Sequence, residues 1–226
     1  MTIYDISRPL DAARLAGWPG DTPFAFSLAW RQDAGASVNV GRVTMSVHAG
    51  THVDAPFHFD ANGPTIDALP LAPFVGPACV LDVSEAAAAT GLITPDDLAP
   101  AVLLLGDAPR LLLRTDAWPD SARFPDAVPA LTLDSVAWLH AHGMLLVGLD
   151  LPSFDALDSQ SLPIHHALAG AGICLLEGLD LRGVPPSFPS VTGEPFYELI
   201  APPLRIVGAD AAPVRALLIR RDRDRV

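Results

Sequence analysis

Twenty-three of the 226 residues are proline, and they are spread along the chain instead of gathering in one linker. That is about a tenth of the sequence, against an ordinary usage of ≈5%. Proline fixes its own φ, lacks an N–H and pushes the preceding residue out of the helical region. A chain punctuated in this way can form only short elements joined by fixed loops. Half of the residues are hydrophobic, enough for a large buried core. No internal repeat or linker divides it, so residues 1–226 are read as one domain, with 221–226 as a flexible charged tail.

Several elements can be read from pattern and punctuation. Ile3–Ile6, Ala78–Val83, Arg110–Thr115, Met144–Asp150 and Ile173–Glu177 read as strands, as do Phe196–Ile200, Leu204–Val207 and Val214–Arg220. Thr94-Pro95-Asp96-Asp97 carries the marks of a helix start, and Thr132 caps a helix that stops at Gly143. Pro163 to Gly170 reads as one or two helical turns. Many short strands and a few helices make an α/β fold.

The chemistry concentrates in His48-Ala49-Gly50-Thr51-His52-Val53-Asp54-Ala55-Pro56-Phe57-His58-Phe59. Gly50 and Pro56 argue against a helix here. A strand Val43–Val47 is expected to end at His48 and continue as extended chain, so that His52 and Asp54 share a face with Val53 opposite. Imidazole and carboxylate form a ligand set that suits divalent metals such as zinc. Further along, His165-His166 precedes the short helix, and Glu177 closes an apolar strand. His140 and His142 lie at a helix C-terminus, which accounts for them without a catalytic role. Trp18, in the turn-rich Gly17-Trp18-Pro19-Gly20-Asp21-Thr22-Pro23, is either a loop aromatic folded onto the core or a wall over a pocket.

The net charge of −12 disfavours nucleic acid and anionic membranes as partners. No apolar run approaches the ~18 residues of a membrane helix, and the N-terminus lacks the pattern of a signal peptide. Cys79 and Cys174 sit in apolar runs and read as buried reduced thiols of a cytoplasmic protein. No Gly-x-Ser-x-Gly occurs, which disfavours a serine hydrolase.

The run from His48 to His58 resembles the signature of the cyclase-like metal-dependent hydrolase family: a histidine, then Gly-Thr/Ala-His-x-Asp-x-Pro-x-His. The resemblance to the family's formamidase branch extends through Trp18-Pro19-Gly20-Asp21, Leu112-Leu113-Arg114-Thr115, Leu146-Val147-Gly148-Leu149-Asp150, His165-His166-Ala167 and Leu175-Leu176-Glu177-Gly178. It implies a swivelling β/β/α single domain with a mixed central sheet and outer helices. It implies two divalent metal ions per subunit, zinc or else manganese. His48, His52 and Asp54 would hold one, His165 would belong to the other, and Asp54 and Glu177 would be shared. His58 would be the acid/base, Trp18 a substrate contact and His166 a supporting or packing residue. The implied reaction is hydrolysis of N-formyl-L-kynurenine to L-kynurenine and formate, with water activated at the metals and His58 protonating the arylamine. The alternative within the family is opening of a cyclic amide such as isatin. A metal-storage protein has no use for His58 or an aromatic loop. A small-molecule substrate and a homodimer are the implied partners. Leu151 and the 155–162 loop depart from the family pattern.

Overall fold

The computed structural model describes residues 1–105, 108–187 and 197–220. Phe196 and the tail from Arg221 lie outside them. In chain order the strands and helices are β1 (Thr2–Asp5), β2 (Ala25–Trp30), β3 (Val40–Thr44), β4 (His52–Asp54), β5 (Val75–Asp82), α1 (Ser84–Thr90), β6 (Leu92–Ile93), α2 (Pro95–Leu98), α3 (Val102–Leu105), β7 (Arg110–Arg114), β8 (Ala130–Leu131), α4 (Leu133–Ala141), β9 (Leu146–Leu149), α5 (Pro163–Gly170), β10 (Cys174–Glu177), β11 (Tyr197–Ile200), β12 (Ala211–Pro213) and β13 (Leu217–Arg220). Their brevity is what the distributed prolines dictate.

Nine strands form one mixed sheet in the order β1-β13-β11-β5-β7-β9-β10-β4-β12. The middle four, β5-β7-β9-β10, are parallel, and antiparallel strands extend them on both sides. β12 and β13 are separated by only Val214, Arg215 and Ala216, a connection reaching at most about 14 Å. In the sheet they stand seven strand spacings apart, roughly 34 Å if the sheet were flat. The sheet therefore has to curl until its ends approach. Ile6 N donating to Ala216 O at 3.0 Å ties the ends where they meet.

Two cores follow from the curl. On one face Cys79, Leu81, Leu111, Leu113, Val147 and Leu149 pack with Val136 and Leu139 of α4 and Ile164 and Leu168 of α5. On the other face Ala78, Val80, Leu112, Leu146 and Leu176 meet Val53, Leu199 and Leu218 from the outer strands of the same sheet. The parallel strands are buried on both sides, so they read as continuous apolar runs. The local signals hold at the helix starts. Thr94 and Asp97 form a capping box for α2, and the Thr132 side chain accepts from Ser135 N at 3.1 Å to cap α4.

Some elements differ from the pattern-based expectation. Residues 204–207 form no strand. Pro202 and Pro203 precede them, Leu204 (58%) and Val207 (80%) face solvent, and the contact of Leu204 N with Pro213 O at 3.4 Å does not extend into a ladder. Val214–Arg220 is not one strand, because the chain crosses between sheet ends at Val214–Ala216. β3 stops at Thr44 and pairs with β2 in a separate two-stranded ribbon whose every residue is exposed. A turn with Gly50 at φ +72, not continuous extended chain, leads through His48 to β4. Neither cysteine is in a disulfide, but only Cys79 is fully buried; Cys174 is half-buried.

Candidate metal centre

β4 lies between β10 and β12, with Glu177 opposite His52 and Leu175 opposite Asp54. Alternation in β4 puts His52 and Asp54 on one side and Val53 into the core. Glu177 ends parallel strand β10, the end at which open α/β sheets gather their ligands. The turns that carry these residues are locked backbone to backbone. Gly178 has φ +65, and a Cβ there would stand 2.2 Å from Gly50 O, so only glycine fits. Thr51 Oγ1 donates to Gly178 O at 2.6 Å and accepts from Arg8 N at 2.9 Å.

His48, His52, Asp54, His165 and Glu177 converge. His52 Nε2 is 3.3 Å from both Asp54 Oδ1 and Glu177 Oε2. His165 Nε2 is 3.3 Å from Glu177 Oε1 and 3.6 Å from Asp54 Oδ2. His48 Nδ1 is 3.1 Å from Asp54 Oδ1. His52, Asp54 and Glu177 are all buried and offer ligand atoms within 4.8 Å of one another, and His48, Asp54 and His58 form a second such group. His58 thus stands within ligand reach as well as at the cavity mouth, where its side chain is 33% exposed.

Each histidine of the floor is held by its other nitrogen. His52 Nδ1 is 3.1 Å from Gly50 O, and His165 Nδ1 is 2.6 Å from Asp155 Oδ2. A proton on Nδ1 then leaves Nε2 to the centre, the arrangement that orients metal-binding imidazoles. Asp155 also accepts from the backbone N–H groups of Ile164 and His165, fixing the start of α5.

The donor set fits a divalent cation. Asp54 Oδ1 is buried and accepts no hydrogen bond despite two imidazoles nearby, an orphan that a cation would satisfy. Burial pulls the pKa of His52 down, but the carboxylates of Asp54 and Glu177 beside its ring outweigh it and raise it to about 10. His165 is likewise lowered by burial, and Asp155, Asp54 and Glu177 carry it up to about 12. Burial works against ionised Asp54 too, yet the surrounding histidines hold it well below the usual carboxylate range.

These residues sit in a cavity of ≈340 Å³ that Trp18, Trp118 and Phe124 also line. Trp18 is 43% exposed and packs edge-on to Phe124 at 5.1 Å. His166 is exposed, its ring 5.1 Å from Phe59. His140 and His142 stand apart from the site; His142 stacks on Trp138. Two site residues have no signal in the sequence pattern. Asp155 is one. The other is Asp210, whose Oδ2 lies 2.9 Å from His48 Nε2 and 3.4 Å from His58 Nδ1. Both come from loops with no motif spacing, and only the folded geometry brings them in.

Fold and cluster together define a metal-dependent hydrolase type, and the chain belongs to the cyclase family, whose model, described as putative cyclase, matches residues 4–156. It is 44% identical over 214 residues, 95% of each chain, to the kynurenine formamidase of Bacillus mycoides (strain KBAB4). Among solved structures it is similar to a potential metal-dependent hydrolase with cyclase activity (TM-score 0.76, 28% identity, 98% of each chain). It is also similar to isatin hydrolase A from Ralstonia solanacearum (TM-score 0.78, 25% identity, 97% of this chain and 92% of that one). Among the described residues no helix is long and apolar enough to cross a membrane.

Proposed function

We propose that this chain is an arylformamidase that hydrolyses N-formyl-L-kynurenine to L-kynurenine and formate, with two divalent ions, zinc or else manganese, in each subunit. The observation that carries the reading is the meeting, in one cavity, of a buried imidazole–carboxylate cluster, a partly exposed histidine and an aromatic wall. The formamidase named among its relatives supplies the substrate.

His48, His52 and Asp54 would hold one ion and His165 would belong to the other. The sharing of Asp54 and Glu177 is supported by their two oxygens, each of which faces a different imidazole. A divalent ion supplies Lewis acidity there, polarising a carbonyl and lowering the pKa of a water from ~15.7 to ≈7. The residues do the rest. The buried floor keeps bulk water off the cluster. Trp18, with Phe124 behind it, orients the aryl ring. Asp210 beside Nδ1 of His58 fixes the tautomer, leaving Nε2 to exchange protons. His58 takes a proton from the water whose oxygen bonds to the formyl carbon and delivers it to the arylamine nitrogen as the C–N bond breaks, so that formate and the free amine leave, the role of a positioned general acid–base.

Turnover of N-formylkynurenine against isatin, with metal analysis of the same sample, tests the reading. Isatin opening at the higher kcat/KM would hand the site to the cyclic-amide reaction of its structural neighbour. We further propose a cytoplasmic homodimer. Two cysteines outside any disulfide fit a reducing compartment. The exposed Phe26 (58%), Trp30 (60%) and Val43 (53%) of the β2–β3 ribbon fit cover by a second copy. Sedimentation of Trp30→Glu should then report monomer.

A further inference from the structure

The cavity contains more than hydrolysis requires. On one side Phe124 bridges Trp18 and Trp118, its ring centroid 5.1 Å from the first and 6.2 Å from the second, edge-on in both cases. This wall is held from behind. The Arg8 guanidinium lies 3.9 Å over the Trp118 ring and donates to Trp118 O and Asp150 O at 3.0 and 2.7 Å. Trp118 Nε1 donates to Arg123 O at 2.8 Å. With Arg8 over one face, its Nε1 bonded and the residue 6% exposed, Trp118 is a fixed backing for the wall that a planar aryl group would meet.

The charge around this wall is one-sided. Asp21, on the Trp18 loop, lines the same cavity, and among the described residues no lysine or arginine does. Asp21 is not part of the ligand cluster. Its Oδ1 accepts from Thr22 N at 2.6 Å, and among the described residues its other oxygen has no partner. Away from the ligand cluster, a carboxylate at the edge of an aromatic slot that no guanidinium or ammonium lines favours a ligand whose ring carries a positive side chain and disfavours an anionic one.

We propose that Asp21 and the Trp18–Phe124–Trp118 wall form a subsite for an aryl group bearing an aliphatic ammonium, with Asp21 the residue that determines this specificity. The inference rests on the formamidase reading and deepens it. The α-ammonium of the substrate is assigned to Asp21, while among the described residues the lining offers the α-carboxylate no lysine or arginine.

The test compares L-kynurenine with ortho-aminoacetophenone, the same aryl ketone without the amino-acid end, by titration calorimetry on the metal-loaded protein. The natural chain binds L-kynurenine about five-fold tighter, the upper end for an exposed ion pair. In Asp21→Asn, which keeps an acceptor for Thr22 N, the ratio of the two affinities falls to about one. A ratio near one in the natural chain, or an equal ratio in both proteins, overturns the subsite. The kinetic counterpart is the ratio of KM for N-formylkynurenine to KM for formanilide, which rises about five-fold in Asp21→Asn. A natural chain that prefers L-kynurenine but hydrolyses neither formamide would keep the subsite and end the formamidase reading.

Discussion

At the floor of the cavity His52, Asp54, His165 and Glu177 are each no more than 3% exposed, whereas at its rim Trp18 is 43% exposed and the His58 side chain 33%. His52, Asp54 and Glu177 are fixed by strand pairing and His165 by helix α5, and each of the two imidazoles has a partner on the far side of its ring. The rim groups are carried by turns and have at most one weak polar hold, such as the 3.4 Å contact of His58 with Asp210. The contrast separates tasks. A cation needs several donors fixed to within a few tenths of an ångström before it arrives, and burial provides that. A substrate must enter and a proton must leave, which needs contact with water.

The largest effect should come from opening the floor. Asp54→Ala removes the carboxylate that both sides of the cluster face. Metal analysis should find the sites largely empty, with turnover lower by more than about 10³-fold; retained metal and activity would dissolve the distinction between floor and rim. Acidity probes the floor without mutation. His52 and His165 have folded-state pKa values raised to about 10 and about 12, so both are protonated at pH 7 in the metal-free protein, and a cation must displace those protons. Apparent metal affinity should therefore rise with pH, about a hundredfold per unit around neutrality if two protons leave. It should fall on acidification. Calorimetry in buffers of different ionisation enthalpy counts the protons released.

At the rim, His58→Ala should keep the metal content and lower kcat by about 10²-fold. Loss of metal in that variant would move His58 to the floor, as its position in the group with His48 and Asp54 allows. A smaller effect is expected behind the floor. Asp155→Ala frees the His165 ring and the start of α5 and should weaken metal binding by about 10- to 100-fold. Asp155→Asn, which keeps an acceptor, should recover part of that loss.

What the sequence made legible follows the same division. The floor residues were readable because their chemistry is in their type and their spacing follows strand alternation: His52 and Asp54 on one side, Val53 on the other. Helix caps were readable because Thr94, Thr132 and Gly143 act on their immediate neighbours. Asp155 and Asp210 were not, since a carboxylate in a loop looks like any solvated acid until the fold sets an imidazole beside it. The ribbon was half legible. A strand was expected at Val43–Val47, but the pattern said nothing of what the strand pairs with, and the expected path into His48 proved to be a turn. The run at 204–207 misled because apolar composition marks a strand only where a partner covers it.

The placement of β4 between β10 and β12 has a consequence for how the molecule is made. Both neighbours lie far downstream in sequence, and contacts of that separation form slowly, after local ones. A nascent chain that has produced His48 to His58 owns half a coordination shell and nothing to close it with. Ion capture then comes as a late event in biogenesis, marking chains whose final strands have docked instead of templating their assembly.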